Sequence, residues 1–275
     1  MPIRILVTTD LSPYSKAGIR FAMQVANQSG AVLIFYHHIK IEKPTRWSEK
    51  QFRTYRETEV AEKEGKLKRF INTIYEQSGN SGRFQCVVSP ASSLDRDIIE
   101  CAVNKKADFI CMSTRGAGAF QRIVGTHTSY VLTHSPVPVF AIPKNFKPEP
   151  LSQILYASDL TGIQTEIKKV KRFADAIKAR LTVLHFDDVH GVETRQKFRQ
   201  VAKQHGSARV KFYLEGYNWE KDLSENLKMA SRKFKPSMLV LFTQQDRSWY
   251  ERVFFASKSA SVSFDTNKPV LVYAK

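Results

Sequence analysis

Arg4-Ile5-Leu6-Val7-Thr8-Thr9-Asp10-Leu11-Ser12 and Gln153-Ile154-Leu155-Tyr156-Ala157-Ser158-Asp159-Leu160-Thr161 carry one pattern twice, 149 residues apart. Each is an apolar run that closes on hydroxyl-Asp-Leu-hydroxyl. The echo continues outward: Phe21-Ala22 and Phe173-Ala174 fall on a following helix, and Val32–His37 and Leu181–His185 are second apolar runs ending in His. Phe109–Met112 and Met238–Phe242 read as buried strands, and Pro138–Lys144 and Pro269–Lys275 close the two halves alike. A period of this length is a duplicated domain and not a solenoid unit. The reading divides the chain into a domain at 1–144, a linker at 145–150 whose Pro148 and Pro150 favour extended backbone, and a domain at 151–275.

Within the first half, apolar runs near 3–8, 31–37, 84–88, 108–113 and 137–142 alternate with helical patterns near 14–28, 51–77, 92–105 and 122–134. Continuous apolar strands are those covered on both faces. Their alternation with helices predicts an α/β fold of two similar doubly wound domains, each a five-stranded parallel sheet flanked by helices. Asp10 or Ser12 is expected to cap the first helix, and Ser92 or Ser93 the third, with Asp95 in its first turn. Ligands of such sheets sit beyond the carboxyl ends of the strands, where the strand order reverses. That directs attention to Thr8–Ser12, Tyr36–Ile39 and the segment after Met112.

After Met112 the chain reads Ser113-Thr114-Arg115-Gly116-Ala117-Gly118, then Gly125-Thr126-His127-Thr128. A strand running into small residues and then into a helix offers free N–H groups and a close backbone approach, the elements of an anion site. Thr126 and Thr128 add hydroxyls, and Arg115 a charge suited to a phosphate oxygen.

On these residues the sequence resembles a tandem universal stress protein along nearly its whole length. The resemblance implies a nucleotide-dependent sensor or binding module that takes ATP, ADP or AMP, with or without Mg²⁺. The family's Gly-x2-Gly-x9-Gly-[Ser/Thr] loop falls on Ser113, Gly116, Gly125 and Thr126, with Ser113 in place of the first glycine and a spacer of eight residues. Val88-Ser89-Pro90 stands where the family often has Gly-x-Pro. The strand-end Asp falls on Asp10, next to Thr8 and Thr9, and the position beside the adenine falls near His38. The expected site is Thr8, Thr9, Asp10, His38, Ser113, Arg115, Gly116, Gly118, Gly125, Thr126, His127 and Thr128, with no catalytic and no metal residue.

The second half keeps Asp159 but has no glycine after Gly216; Gln245 and Ala256 stand where glycines would be, and Asp246 would repel phosphate. It is expected to be a structural or partner-binding pseudo-subunit. The resemblance further implies antiparallel pairing of the two last strands, Val137–Ile142 with Pro269–Tyr273, which would make one chain its own dimer, alone or in a further homodimer. Two sheet edges would be covered in this way.

Other features have plainer readings beside the functional ones. His37 and His38 point to opposite strand faces, which argues against one shared ion. Cys86, Cys101 and Cys111 read as core residues, with redox sensing as the alternative. The helix around Glu49–Gln77 places Leu67, Phe70, Ile71 and Ile74 on an apolar stripe and carries i,i+4 ion pairs. Trp249 and Phe254-Phe255 read as a repacked former loop or a partner patch.

The chain carries 43 basic and 26 acidic residues, a net charge of +17 and a pI near 9.8. The excess is shared, 21 against 13 in residues 1–150 and 22 against 13 in 151–275, with no basic tail. An alternative function follows from that charge: polyanion binding, nucleic acid included, through the basic surface. The other alternative is an interaction scaffold that binds no nucleotide. No nucleophile elbow or Walker loop occurs, so no enzyme activity is expected, and a slow ATPase is the compatible alternative. No stretch reaches the roughly 20 apolar residues of a membrane span, the N-terminus reads as a strand and not a leader, and three scattered cysteines suit a reducing cytoplasm.

Overall fold

β1 (Arg4–Thr8), β2 (Val32–His38), β3 (Phe84–Ser89), β4 (Phe109–Thr114) and β5 (Val139–Pro143) form the first half of one continuous sheet. β6 (Gln153–Ala157), β7 (Arg180–Asp187), β8 (Val210–Gly216), β9 (Met238–Thr243) and β10 (Val270–Ala274) form the second. The computed structural model describes residues 2–79, 82–91, 93–114, 126–187, 192–243 and 268–274, the side chain of Thr126 excepted.

The strand order is β3-β2-β1-β4-β5-β10-β9-β6-β7-β8. Every pairing is parallel except β5 with β10, where Val139, Phe140 and Ala141 face Val272, Leu271 and Val270. The expected internal pseudo-dimer is therefore the architecture: two edges that would lie open in separate halves hydrogen-bond to each other. Apolar side chains continue across the seam. Phe109 and Phe140 of the first half meet Phe173 of the second at centroid distances of 5.1 and 5.5 Å. Gln28, on α1, donates to the Leu151 and Ile177 carbonyls and accepts from the Leu151 N–H at 2.8 Å.

Helices cover both faces. α1 (Lys16–Ser29), α2 (Glu49–Gln77), α5 (Ile163–Ala176) and α6 (Val192–His205) lie over one core, and α3 (Leu94–Asn104), α4 (Thr126–His134) and α7 (Leu223–Phe234) over the other. Alternate residues of each strand feed the two cores: Ile5 and Val7 one, Leu6 the other.

The helix starts differ from expectation. Neither Asp10 nor Ser12 caps α1. Ser12 precedes a single 3-10 turn, Pro13–Ser15, without a side-chain cap, and α1 follows from Ser15. Ser93 precedes α3 but its hydroxyl makes no cap bond; Ser92 lies outside the described residues. α2 begins at Glu49, two residues early, because Ser48 and Gln51 form a reciprocal capping box. Cys111 is buried, whereas Cys86 and Cys101 are half-buried. Burial pushes the thiols of Cys86 and Cys101 up to about 11, which keeps them protonated and poor nucleophiles.

Candidate functional site

The carboxyl end of β1 runs straight into a strained turn. Leu11 has φ of 61°, a left-handed conformation that a leucine adopts only when its surroundings hold it there. Two hydrogen bonds do so: the Leu11 N–H donates to Thr9 Oγ1 at 3.0 Å, and the Ser12 N–H to Asp10 Oδ1 at 3.0 Å. The Asp10 carboxylate thus closes an Asx turn at the sheet edge. Partial burial pushes its pKa up, but hydrogen bonds with Ser12 and Ser15 outweigh that and leave it below the usual carboxylate value. Asp10 is ionised at neutral pH, an acceptor suited to hydroxyls rather than phosphates.

α1 comes unusually close to β4. The N–H of Gly18, an orphan donor in the helix's first turn, donates to Ser113 Oγ at 2.8 Å, and Ser113 Oγ donates to the Ser15 carbonyl at 3.2 Å. A Cβ on Gly18 would sit 2.8 Å from Ser113 Oγ and 3.2 Å from its backbone nitrogen. The Ser113 hydroxyl is therefore engaged in anchoring α1, and its φ is not positive, so serine in place of the family's glycine carries no backbone strain.

Where β1 and β4 part, a cavity of about 180 Å³ opens. This is the point at which the strand order reverses. Its walls are Thr8, Thr9, Asp10, Tyr14 and Ser15 from the first turn, and Tyr36, His37 and His38 from β2. Leu94 and Ile98 of α3, Met112, Ser113 and Thr114 of β4, and His127 of α4 complete them. A cavity of roughly 150 Å³ already admits a benzene ring, so one base or one ribose fits here, and a phosphate chain would have to lie outside it.

The polar groups on the walls have fixed orientations. His37 Nδ1 donates to the Thr9 carbonyl at 2.9 Å and His38 Nε2 to the Ala91 carbonyl at 2.8 Å. Burial, helped by His38 and Lys63, lowers the His37 pKa below its ordinary 6.5 against the pull of the Thr9 carbonyl and Asp10. His37 is therefore neutral at pH 7. Tyr36 donates to the Asp97 carboxylate; burial first, then Asp97, drives its hydroxyl far above the usual phenol range. His127 Nδ1 donates to Asp95 Oδ1 at 2.6 Å, which joins the starts of α3 and α4.

Of the expected site residues, Thr8, Thr9, Asp10, His38, Ser113 and His127 line the cavity. Thr128 does not: it is buried at the start of α4. Thr126 opens α4. Arg115, Gly116, Gly118 and Gly125 lie outside the described residues, as do Gln245, Asp246, Trp249, Phe254, Phe255 and Ala256 of the second half. Sequence reasoning missed Tyr14, Ser15, Tyr36, His37, Leu94, Ile98, Met112 and Thr114 as lining residues. His37 carried a legible signal, because His185 repeats it in the second half; the apolar ones read simply as core.

Comparison with known proteins places the fold. The profile of the Universal stress protein family matches residues 1–143. The chain belongs to the universal stress protein family. Among curated proteins no sequence matches. A universal stress protein from Archaeoglobus fulgidus DSM 4304 superposes with a TM-score of 0.72 at 18% identity, covering 98% of each chain. A functionally unknown protein from Pseudomonas aeruginosa PAO1 does so at 0.60 and 17%, covering 98% of this chain and 92% of that one. The cytoplasmic domain of a prokaryotic cation chloride cotransporter shares the fold at 0.51 and 9%, covering 99% and 95%.

The second repeat of this tandem universal stress protein keeps the turn and puts an aromatic ring where Ser113 stands. Leu160 has φ of 65°, its N–H donates to Ser158 Oγ at 3.1 Å, and the Thr161 N–H donates to Asp159 Oδ1 at 2.8 Å. His185 Nδ1 meets the Ser158 carbonyl at 2.8 Å, as His37 meets Thr9. The ladders pair Val7 with Cys111 and Tyr156 with Val240, which puts Phe242 in the place of Ser113. The Phe242 ring is buried, stacked on Tyr273 at 4.7 Å and edge-on to Tyr156 at 5.5 Å. Leu184 and Phe186 replace Tyr36 and His38.

Proposed function

We propose that the first half, residues 1–144, binds one adenine nucleotide at the mouth between β1 and β4, and that the second half, 151–275 after a linker at 145–150, is a closed pseudo-subunit. The chain would act as a nucleotide-dependent binding module and not as a catalyst. The observation that carries this reading is the cavity itself: it lies at the switch point, is lined by six residues the sequence nominates, and has a phenylalanine at the matching place in the other half.

The residues present suit the ligand. Ile98, Met112 and Leu94 offer apolar walls for a base, the kind of lining small-molecule sites use. Asp10 accepts from ribose hydroxyls. His38, whose Nε2–H is held by Ala91, presents Nδ1 as an acceptor toward an exocyclic amine. His127 and the backbone at the start of α4 stand toward the phosphates, with Arg115, Gly116, Gly118, Gly125 and Thr126 assigned there from sequence alone.

Titration calorimetry with ATP, ADP and AMP tests the reading. Micromolar or tighter binding to the native chain, reduced at least tenfold in Asp10→Ala and in Gly116→Val, is the expected result. Absence of heat and of any rise in melting temperature with all three nucleotides would overturn it.

A further inference from the structure

The two halves also differ in one helix, and that difference exposes a surface unrelated to the cavity. α6 covers its sheet with 14 residues, whereas the equivalent α2 has 29. The residues of α2 that pack are Leu67, Ile71, Ile74 and Tyr75, all in its final turns. Nearer its start, residues 49–58 are exposed apart from the half-buried Phe52. These ten residues form an overhang of about 15 Å at 1.5 Å per residue. The capping box of Ser48 and Gln51 holds this overhang as formed helix.

The charge changes along the same helix. Its packed part is balanced by i,i+4 pairs, Lys63 with Glu59, Lys66 with Glu62 and Lys68 with Glu64. From Lys43 to Arg56 there are five basic residues and one acid, Glu49, which pairs with Lys43. Arg46, Lys50, Arg53 and Arg56 have no ion pair among the described residues. Acidic residues are the ones that favour the first turns of a helix, so this row of cations does not serve α2's own stability. Lys50, Arg53 and Arg56 succeed one another at i+3 and share a strip, and Phe52 and Tyr55 occupy the strip beside it. Trp47 packs edge-on against Tyr55 at 5.1 Å, and the two residues are 36% and 39% exposed.

We propose that this overhang, Arg46, Lys50, Arg53 and Arg56 beside Trp47 and Tyr55, is a docking surface for single-stranded nucleic acid. The cations meet phosphates and the exposed rings stack on bases, the combination that non-sequence-specific single-strand binders use. An anionic bilayer fits less well, because an interfacial helix needs a continuous apolar face, and the ten residues 49–58 offer only Phe52 and Tyr55.

The test is fluorescence anisotropy of the full chain with a labelled 20-nucleotide single strand across 50–300 mM salt. A variant with Arg46, Lys50, Arg53 and Arg56 changed to Gln is compared with a control of equal charge loss elsewhere, Lys168, Arg172, Lys197 and Arg199 to Gln. Binding by the native chain, weakened about 100-fold in the α2 variant but under fivefold in the control, is expected. Each neutralised phosphate contributes roughly 0.7 to the salt slope of a single strand, so the slope should fall by about 2 to 3 in the α2 variant only. Trp47→Ala with Tyr55→Ala should weaken binding about tenfold at unchanged slope. Equal losses in α2 variant and control would reduce the effect to net charge and overturn the proposal. So would failure to bind the strand at 50 mM salt, or capture by phosphatidylserine vesicles that the strand does not compete away. Unchanged circular dichroism and melting of each variant separate these outcomes from misfolding.

Discussion

At the end of β1 the chain turns through a left-handed Leu11, held by Thr9 and Asp10; at the end of β6 it turns through a left-handed Leu160, held by Ser158 and Asp159. The two turns match to within a few degrees and a tenth or two of an ångström, yet one borders a cavity and the other a packed aromatic stack. The hydroxyl-Asp-Leu-hydroxyl motif is thus first a requirement of the backbone. What distinguishes the halves is the residue at the end of the fourth strand. Ser113 is small enough for α1 to approach at Gly18 and leave a mouth open; Phe242 fills its place and is sealed by Tyr273 and Tyr156.

The largest effect expected from disturbing this contrast is at Phe242. Phe242→Ser removes a buried ring, and urea denaturation should record a loss of about 3–5 kcal/mol, with no second nucleotide gained because the loop glycines are absent. If that variant unfolds with unchanged stability, the aromatic stack is not what closes the second half. The reciprocal change, Ser113→Phe, forces a ring against the backbone of α1. It should cost about 1–3 kcal/mol by overpacking and abolish nucleotide binding. Gly18→Ala places a methyl against Ser113 and should lose about 1–2 kcal/mol by the same means.

Smaller effects should be symmetrical. Thr9→Val and Ser158→Ala each leave a left-handed leucine without its side-chain acceptor, and each should cost about 1 kcal/mol. Only Thr9→Val should also weaken nucleotide binding, which calorimetry on the two variants decides. The smallest effect is in pH. The His37 pKa is lowered by folding, so the unfolded chain binds more protons below its ordinary 6.5. The stability His37 contributes is present above pH 6.5 and is lost as the pH falls through its folded value. Melting temperatures from pH 7.5 to 5 should drop less steeply in His37→Gln than in the native chain.

Much of this was legible in the sequence because it repeats. Strand positions and the doubling follow from apolar runs and matched ends, while the antiparallel seam came from the family resemblance. Asp10, Thr9 and His38 were legible as cavity-lining residues because they sit at the carboxyl ends of strands. The Gly18–Ser113 contact was not, because it joins residues 95 apart whose meeting depends on how far α1 sinks onto the sheet. Tyr36, Ile98 and Met112 look the same in sequence whether they face a core or a cavity. Ser12 looked like a cap because it precedes a helix, but the inserted 3-10 turn moves α1 beyond its reach. The length of α2 carries meaning only when set against α6, which needs half as many residues for the same task.

The most direct measurement is the number of nucleotides the chain holds. Protein purified without added nucleotide is denatured, the polypeptide removed, and the supernatant resolved against AMP, ADP and ATP; the emptied protein is then titrated with ATP. The account predicts saturation at about one nucleotide per chain, with a matching rise in melting temperature. Saturation at two would mean that Phe242 does not close the second half, and no binding at all would mean that the cavity between β1 and β4 is not a nucleotide site.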